Sequence, residues 1–245
     1  MKYIALYGIS VLLLFVSWKG FDKGQVKELD LRGAWQNGPE ENLMVWINSG
    51  KHFAASVYNT KENKFIGTCG GTWRLDGNTL IEVHEFNTID PELIGKEIRN
   101  TVRMDGEKLV INVNKKDESW TRLDDTTPGK LAGAWIITGR VFNGELRERT
   151  PGARKTMKIL SGTRFQWIAY NSETKEFFGT GGGAYTSEGG KYVENIEFFS
   201  RDNSRVGMKL EFDFSIEDGK WHHKGFSSKG DPIHEVWSTR EMLGI

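Results

Sequence analysis

The sequence predicts an all-β protein made of two tandem antiparallel up-and-down β-barrels, about eight strands each. Three observations carry that prediction. The stretch Phe177–Tyr185 (FFGTGGGAY) is a near copy of Phe65–Trp73 (FIGTCGGTW), 112 residues earlier, and identical residues recur at the same spacing: Phe53/Phe165, Tyr58/Tyr170, Gly70/Gly182, Glu82/Glu194, Glu85/Glu197 and Phe86/Phe198. Apolar and polar residues alternate with period two, as in Met208, Leu210, Phe212, Phe214 and Ile216 against Lys209, Glu211, Asp213 and Ser215, the pattern of half-buried antiparallel strands. The segments between such runs are short and polar, for example Asp76-Gly77-Asn78 and Glu217-Asp218-Gly219, which suits hairpins. Closing each set of hairpins into a barrel removes the open sheet edges.

The elements follow in order. Lys2 and the apolar run Ile4–Val16 have the charge pattern and length of a signal peptide and are too short to span a bilayer. Residues 1–20 are therefore expected to direct export, to the periplasm, the outer surface or the medium, with an uncleaved N-terminal anchor as the alternative. The first barrel is expected over 31–123, with strands near 43–48, 52–59, 64–75, 79–87, 95–104, 108–114 and 117–123 after an opening Gly-x-Trp strand. Residues 124–130, containing Thr-Thr-Pro-Gly, read as a linker. The second barrel is expected over 131–240, with strands near 133–142, 155–161, 163–170, 177–186, 190–199, 206–216, 220–226 and 233–240. Leu31/Leu131 pair at an offset of 100 and Phe53/Phe165 at 112, so the second copy carries an insertion around 142–155. That stretch holds Arg147, Arg149, Arg154 and Lys155. It reads as a solvated loop or as a contact for an anionic or protein partner. No long helix is expected. The glycine-rich repeat lies in a strand, where glycine marks bending or close approach, and matches no phosphate-binding loop.

Composition narrows the function classes. Lys and Arg equal Asp and Glu at 33 each, and neither half is strongly basic, which argues against nucleic-acid binding. Nine Trp, fourteen Phe and 29 Gly with five Pro suit a strand-rich globular chain. The single cysteine, Cys69, excludes an intramolecular disulfide and reads as a small buried residue.

Gly33-Ala34-Trp35, repeated as Gly133-Ala134-Trp135, resembles the Gly-x-Trp on the first strand of the lipocalins and the wider calycin group. The chain also looks like tandem lipocalin-like "membrane or secreted" proteins of Gram-negative bacteria, whose function is largely unassigned. The resemblance implies that Trp35 and Trp135 close one end of each barrel with an arginine across them. Arg122 and Arg240 are the candidates, although they stand two and three residues past Trp120 and Trp237. The helix that usually follows the last lipocalin strand is not evident.

The barrel interior is the default binding site. Strand parity places Leu80, Glu82, His84 and Phe86 on one face, and Tyr192, Glu194, Ile196 and Phe198 on the equivalent face. An inward face leaves one carboxylate per barrel, Glu82 or Glu194, to be paired, to anchor a ligand or to act as an acid or base. Glu85 and Glu197 fall on the opposite face and are expected in solvent. Phe165 and Trp167, with Phe212 and Phe214, offer aromatic surface in the second barrel, which is the one expected to take an apolar ligand. His222 and His223 oppose each other across their strand, so a metal site is not expected, and no catalytic residue or cofactor is assigned. Three readings follow: an exported protein binding a small apolar or amphipathic molecule in at least one barrel; a structural or protein-interaction module of the cell envelope; and, more weakly, a small-molecule enzyme using an interior Glu.

Overall fold

A computed structural model describes residues 29–124 and 128–245. The apolar N-terminal run, with the export expectation that rests on it, and residues 125–127 of the linker lie outside the described residues.

The first barrel comprises β1 (Gly33–Asn37), β2 (Leu43–Ser49), β3 (His52–Asn59), β4 (Lys64–Asp76), β5 (Thr79–Asn87), β6 (Glu97–Asp105), β7 (Lys108–Val113) and β8 (Lys116–Arg122). Each strand pairs antiparallel with the next, and β8 returns to β1 through Trp35–Arg122 and Gln36–Thr121. The second copy comprises β9 (Gly133–Phe142), β10 (Glu145–Glu148), β11 (Arg154–Leu160), β12 (Arg164–Asn171), β13 (Phe177–Glu188), β14 (Lys191–Phe199), β15 (Lys209–Glu217), β16 (Lys220–Phe226) and β17 (Pro232–Thr239). It closes by pairing β17 with β9. Strand β10 stands apart from the barrel wall. It folds back on the outer half of β9, from Phe142–Glu145 to Gly139–Glu148. The 142–155 insertion, expected as a loop, is thus a hairpin with exposed side chains.

The Gly-x-Trp tryptophan of each barrel is buried in that barrel's core. Trp35 Nε1 donates to Leu31 O at 3.0 Å, and Trp135 Nε1 donates to Leu131 O at 2.9 Å. The Arg122 guanidinium lies 4.1 Å from the Trp35 ring centroid and donates to the carbonyls of Arg32 and Asp30. Gly33 must be glycine here, because a Cβ would sit 2.6 Å from Arg122 Nη1 and 2.7 Å from Asp124 Oδ1. The second copy departs from this arrangement. Thr239 pairs with Trp135, and Arg240 lies beyond it in a single helical turn, α1 (Arg240–Leu243). Arg240 therefore does not take the place of Arg122; it reaches the other barrel.

The two barrels share one core. Ala34, Val45, Ile47, Ala54, Tyr58 and Phe86 of the first pack with Ala134, Ile136, Met157, Ile159, Ile168, Tyr170 and Phe198 of the second. The contact is self-complementary, as in a twofold dimer. Tyr58 stacks on Phe198 and Tyr170 packs tilted on Phe86, each at 4.9 Å between centroids, while Phe65 and Phe177 stack on each other at 6.3 Å. The Tyr58 hydroxyl donates to Glu197 Oε2 at 2.9 Å, and the Tyr170 hydroxyl to Glu85 Oε2 at 2.5 Å. Burial, reinforced by the adjacent carboxylates, raises both phenols above their ordinary range and keeps them as donors. Glu85 accepts Arg240 through both guanidinium arms, at 2.8 and 3.0 Å, and Glu197 accepts Arg164.

This corrects two expectations: the outer face that carries Glu85 and Glu197 is covered by the other barrel, and a bulge brings Phe86 and Phe198 onto that face. The ladder shifts register between Gly70 and Gly71, where Phe86 and His84 face them, and again between Gly182 and Gly183, opposite Phe198 and Ile196. Glu85 and Glu197 are the unmatched residues of these bulges. A bulge breaks strict alternation, so Phe86 and Phe198 leave the lumen side and join Glu85 and Glu197 at the inter-barrel contact. The repeated glycines make room: a Cβ on Gly70 would sit 2.4 Å from Phe86 Cζ, and one on Gly182 2.7 Å from Phe198 Cζ.

Candidate ligand site in the second barrel

The lumen of the second barrel is polar at its centre. Lys158 on β11 and Glu194 on β14 are both nearly inaccessible, and Lys158 Nζ donates to Glu194 Oε1 at 2.7 Å. Four rings surround the ammonium: Tyr192 at 5.1 Å, Trp221 at 5.2 Å, Trp237 at 5.4 Å and Phe212 at 5.7 Å. Negative ring faces and one carboxylate replace the water that a lysine otherwise requires. His223 on β16 is also buried, and its ring centroid is 4.0 Å from that of Phe212. Its Nδ1 is 3.5 Å from Glu235 Oε2, too long for a good hydrogen bond, and its Nε2 has no hydrogen-bond partner among the described residues. Burial, with Lys158 nearby, pulls the imidazole down to about 4, so the ring is neutral at pH 7. Glu235 is held by Arg140 at 2.8 Å. Burial opposes its ionisation, but His223, Lys158 and Arg140 outweigh that and lower its carboxyl below the usual range.

A cavity of about 200 Å³ lies beside this cluster, reached by Lys158, Glu194, His223, Glu235, Trp167 and Trp237. It adjoins a wider cleft of about 530 Å³ at the barrel mouth, and Trp167, Phe199 and Ser228 line both. Trp167 and Phe199 meet edge to face at 5.4 Å. Gly181 of the glycine-rich strand permits this, since a Cβ there would sit 2.8 Å from Trp167 Nε1 and 2.9 Å from Phe199 Cδ2.

The sequence-predicted residues fall into three groups. Glu194, Trp167 and Phe212 line the lumen cavity. Tyr192 and Phe165 are buried below it, their centroids 6.3 Å apart, and Phe214 packs at the edge of the same cluster. Glu82 sits in the first barrel, in a different setting. The position equivalent to Lys158 there is Trp46, and Ile111 replaces His223. Trp46 packs on Trp120 at 5.9 Å among Phe53, Leu80 and Val102. Without a cation beside it, Glu82 is governed by desolvation, which pushes its carboxyl up to about 7 although the side chain is only half-buried. Cys69, expected to be buried, is half-buried, and its thiol is likewise raised by desolvation and by the charge of Glu82. His84 serves structure: its Nδ1 is bonded to Asn87 Nδ2 at 2.9 Å.

Sequence reasoning missed Lys158, His223 and Glu235 as a group. Both faces of β11 are buried, because Met157 and Ile159 meet the other barrel while Lys158 and Leu160 face the lumen. Alternation along that strand therefore carries no signal. His223 was legible, since it shares parity with Trp221 and lies opposite Glu235. His222 points outward, with Nδ1 3.3 Å from Nε2 of His234. Among the described residues, no group of three or more His, Cys, Asp or Glu side chains is arranged to hold a metal ion, and no helix is long and apolar enough to cross a membrane. No family model matches the chain, and no curated protein sequence is similar to it. The two closed eight-stranded antiparallel barrels are compatible with a lipocalin-like fold.

Proposed function

We propose that this is an exported, lipocalin-like binding protein whose second barrel takes up a small amphipathic molecule through its open mouth. One observation carries the reading: the lumen cavity is lined by a buried histidine whose Nε2 has no partner among the described residues, beside an indole N–H of Trp237 that also lacks one there. Buried donors and acceptors without partners are costly, and a ligand group that bonds them recovers that cost. The aromatic wall of Trp167, Phe199 and Phe212 supplies the apolar contact. Membership of the lipocalin-like group rests on the paired Gly-x-Trp motifs and on the Arg122 contact with Trp35. Export rests on the N-terminal apolar run.

Native mass spectrometry of the protein purified from its exporting host tests the binding. A reproducible added mass is expected, lost on denaturation and lost in Trp167→Ala. Bare polypeptide, together with no binding of apolar fluorescent probes, would overturn the proposal. A second reading has one feature in its favour. Strand β10 is an exposed edge beside the exposed Phe142 and Leu146, and such edges accept strands from partners. Its test is a pull-down with the hairpin tip 143–147 replaced by a two-residue Asn-Gly turn.

A further inference from the structure

The mouth of the second barrel is not electrically neutral. Arg154 on β11, Arg201 after β14 and Lys229 before β17 line the cleft together with the rings of Trp167, Phe178 and Phe199. None of these three cations makes an ion pair with a carboxylate among the described residues, and Arg154 instead lies 4.5 Å over the Phe178 ring. Arg205 also lines the cleft but is occupied by Asp202 and by the Ser228 carbonyl. Cations therefore crowd this rim without enough acids to balance them, in a chain whose formal charge is zero.

The duplication supplies an internal control. At the equivalent positions of the first barrel, Arg154, Trp167, Phe178, Phe199 and Arg201 are replaced by Asn42, Ala55, Ile66, Asn87 and Ile89. Cations and aromatic rings are thus present together at these positions in one copy and absent together in the other, while Tyr58/Tyr170, Phe65/Phe177, Glu85/Glu197 and Phe86/Phe198 at the inter-barrel contact are common to both. Side chains needed only for folding a barrel mouth would not be confined to the barrel with the polar lumen.

Resting on the binding reading above, we infer that the mouth is an anion site and that the ligand is an amphiphile with an acid group. The acid group sits between Arg154, Arg201 and Lys229. The ligand's apolar body lies along Trp167, Phe178 and Phe199 towards the lumen. Guanidinium groups bind carboxylate, sulfonate and phosphate oxygens through charge-assisted hydrogen bonds, and aromatic walls favour a flat or hydrocarbon body.

Two probes with the same ring system separate the charge from the body: 1-anilinonaphthalene-8-sulfonate and uncharged N-phenyl-1-naphthylamine, titrated by fluorescence. The wild type is expected to bind the sulfonate at least about tenfold more tightly, as one charged hydrogen bond implies, with the preference shrinking as salt screens it. Arg201→Ala and Arg154→Ala each remove about that factor for the sulfonate and leave the neutral probe unchanged. Arg154→Lys retains part of the preference, and Arg103→Ala, a cation of the first barrel, changes neither probe. Equal binding of the two probes by the wild type, or parallel loss of both in the arginine variants, overturns the anion site and leaves the lumen reading intact. Binding of neither probe overturns both.

Discussion

Glu85→Ala removes one carboxylate from the inter-barrel contact and leaves Arg240 behind. Arg240 is 4% exposed, and its only carboxylate partner among the described residues is Glu85, itself 19% exposed in its side chain. Breaking a buried pair by removing one member costs about 3–5 kcal/mol. The partial exposure of Glu85 puts this case near the lower end, about 3 kcal/mol. The equivalent Glu197→Ala is expected to cost about 1 kcal/mol, because Arg164 and Glu197 are 20% and 34% exposed and water replaces the lost partner. Urea unfolding followed by tryptophan fluorescence distinguishes them. With a slope of about 3 kcal/mol/M for a chain of this size, the midpoint falls by about 1 M for Glu85→Ala and about 0.3 M for Glu197→Ala. Glu85→Ala with Arg240→Met should regain most of the loss, since no charge is then stranded. The pH dependence follows from the same contact. Burial opposes ionisation of Glu85, but the hydrogen bonds and charge of Arg240 and the Tyr170 hydroxyl outweigh it and hold its carboxyl below 4.5. Its contribution is therefore present above 4.5 and lost as pH falls through the lowered value. Equal midpoint shifts in the two single variants would refute the reasoning, because they would mean that the quasi-equivalent carboxylates are equally desolvated.

Three further outcomes are expected. Burial pulls His52, His84 and His223 down from 6.5 to about 4, so the unfolded chain binds more protons in that interval and stability falls as pH drops from 6.5 towards 4. Glu82, raised to about 7, acts in the opposite sense between 4.5 and 7, and Glu82→Gln should therefore steepen the measured acid slope of the urea midpoint; an unchanged slope would count against its desolvation. Lys158→Met strands Glu194 in the second lumen and should cost about 3–5 kcal/mol, with Glu194→Leu added to it recovering most of that loss; additive losses in the double variant would show that the pair is not the unit described. Gly183→Ala would place a Cβ 2.1 Å from the Asn195 carbonyl oxygen, a backbone atom that cannot rotate away, so a loss above about 3 kcal/mol is expected by chemical denaturation, against a trivial change for Gly152→Ala, which has open space around it.

Much of the architecture was legible because a closed barrel repeats one simple rule. Period-two alternation and polar hairpin turns located all sixteen barrel strands, and the 112-residue spacing divided them between two copies. Alternation fails wherever a strand is buried on both sides or carries an extra residue. Both conditions occur where the barrels meet. The strand β11 presents Met157 and Ile159 to the first barrel and Lys158 to the lumen, so its apolar and polar residues do not sort into inside and outside. The bulges at Glu85 and Glu197 turn Phe86 and Phe198 out of the lumen, and the two carboxylates, outward-facing as alternation implies, meet the other barrel where solvent was expected. The repeated Phe-x-Gly-Thr-x-Gly-Gly motif signalled a structural need. Its meaning required the other barrel: Gly70 and Gly182 admit the rings of Phe86 and Phe198, and Thr68 Oγ1 accepts from Gln166 Nε2 at 2.8 Å across the contact.

The two copies are alike at much of their mutual contact and differ in their lumens. Several residues held in common at the 112-residue spacing meet where the barrels touch: Tyr58 and Tyr170, Phe65 and Phe177, Glu85 and Glu197, Phe86 and Phe198, while Phe53/Phe165 and Glu82/Glu194 are shared inside the barrels. Each side of a self-complementary contact must satisfy the same partner, so substitution on one copy is penalised by the other. The lumens carry no such mutual constraint. In the first, Trp46 takes the centre and an apolar cluster surrounds it, the economical way to stabilise a small barrel. In the second, a lysine, two carboxylates and a histidine occupy the same depth, with only some of their hydrogen-bonding capacity used. That interior is less stable than an apolar one of the same volume would be. The binding proposed for the mouth and lumen of the second barrel would give that departure a reason, and the apolar contact with the first barrel would offset part of its cost.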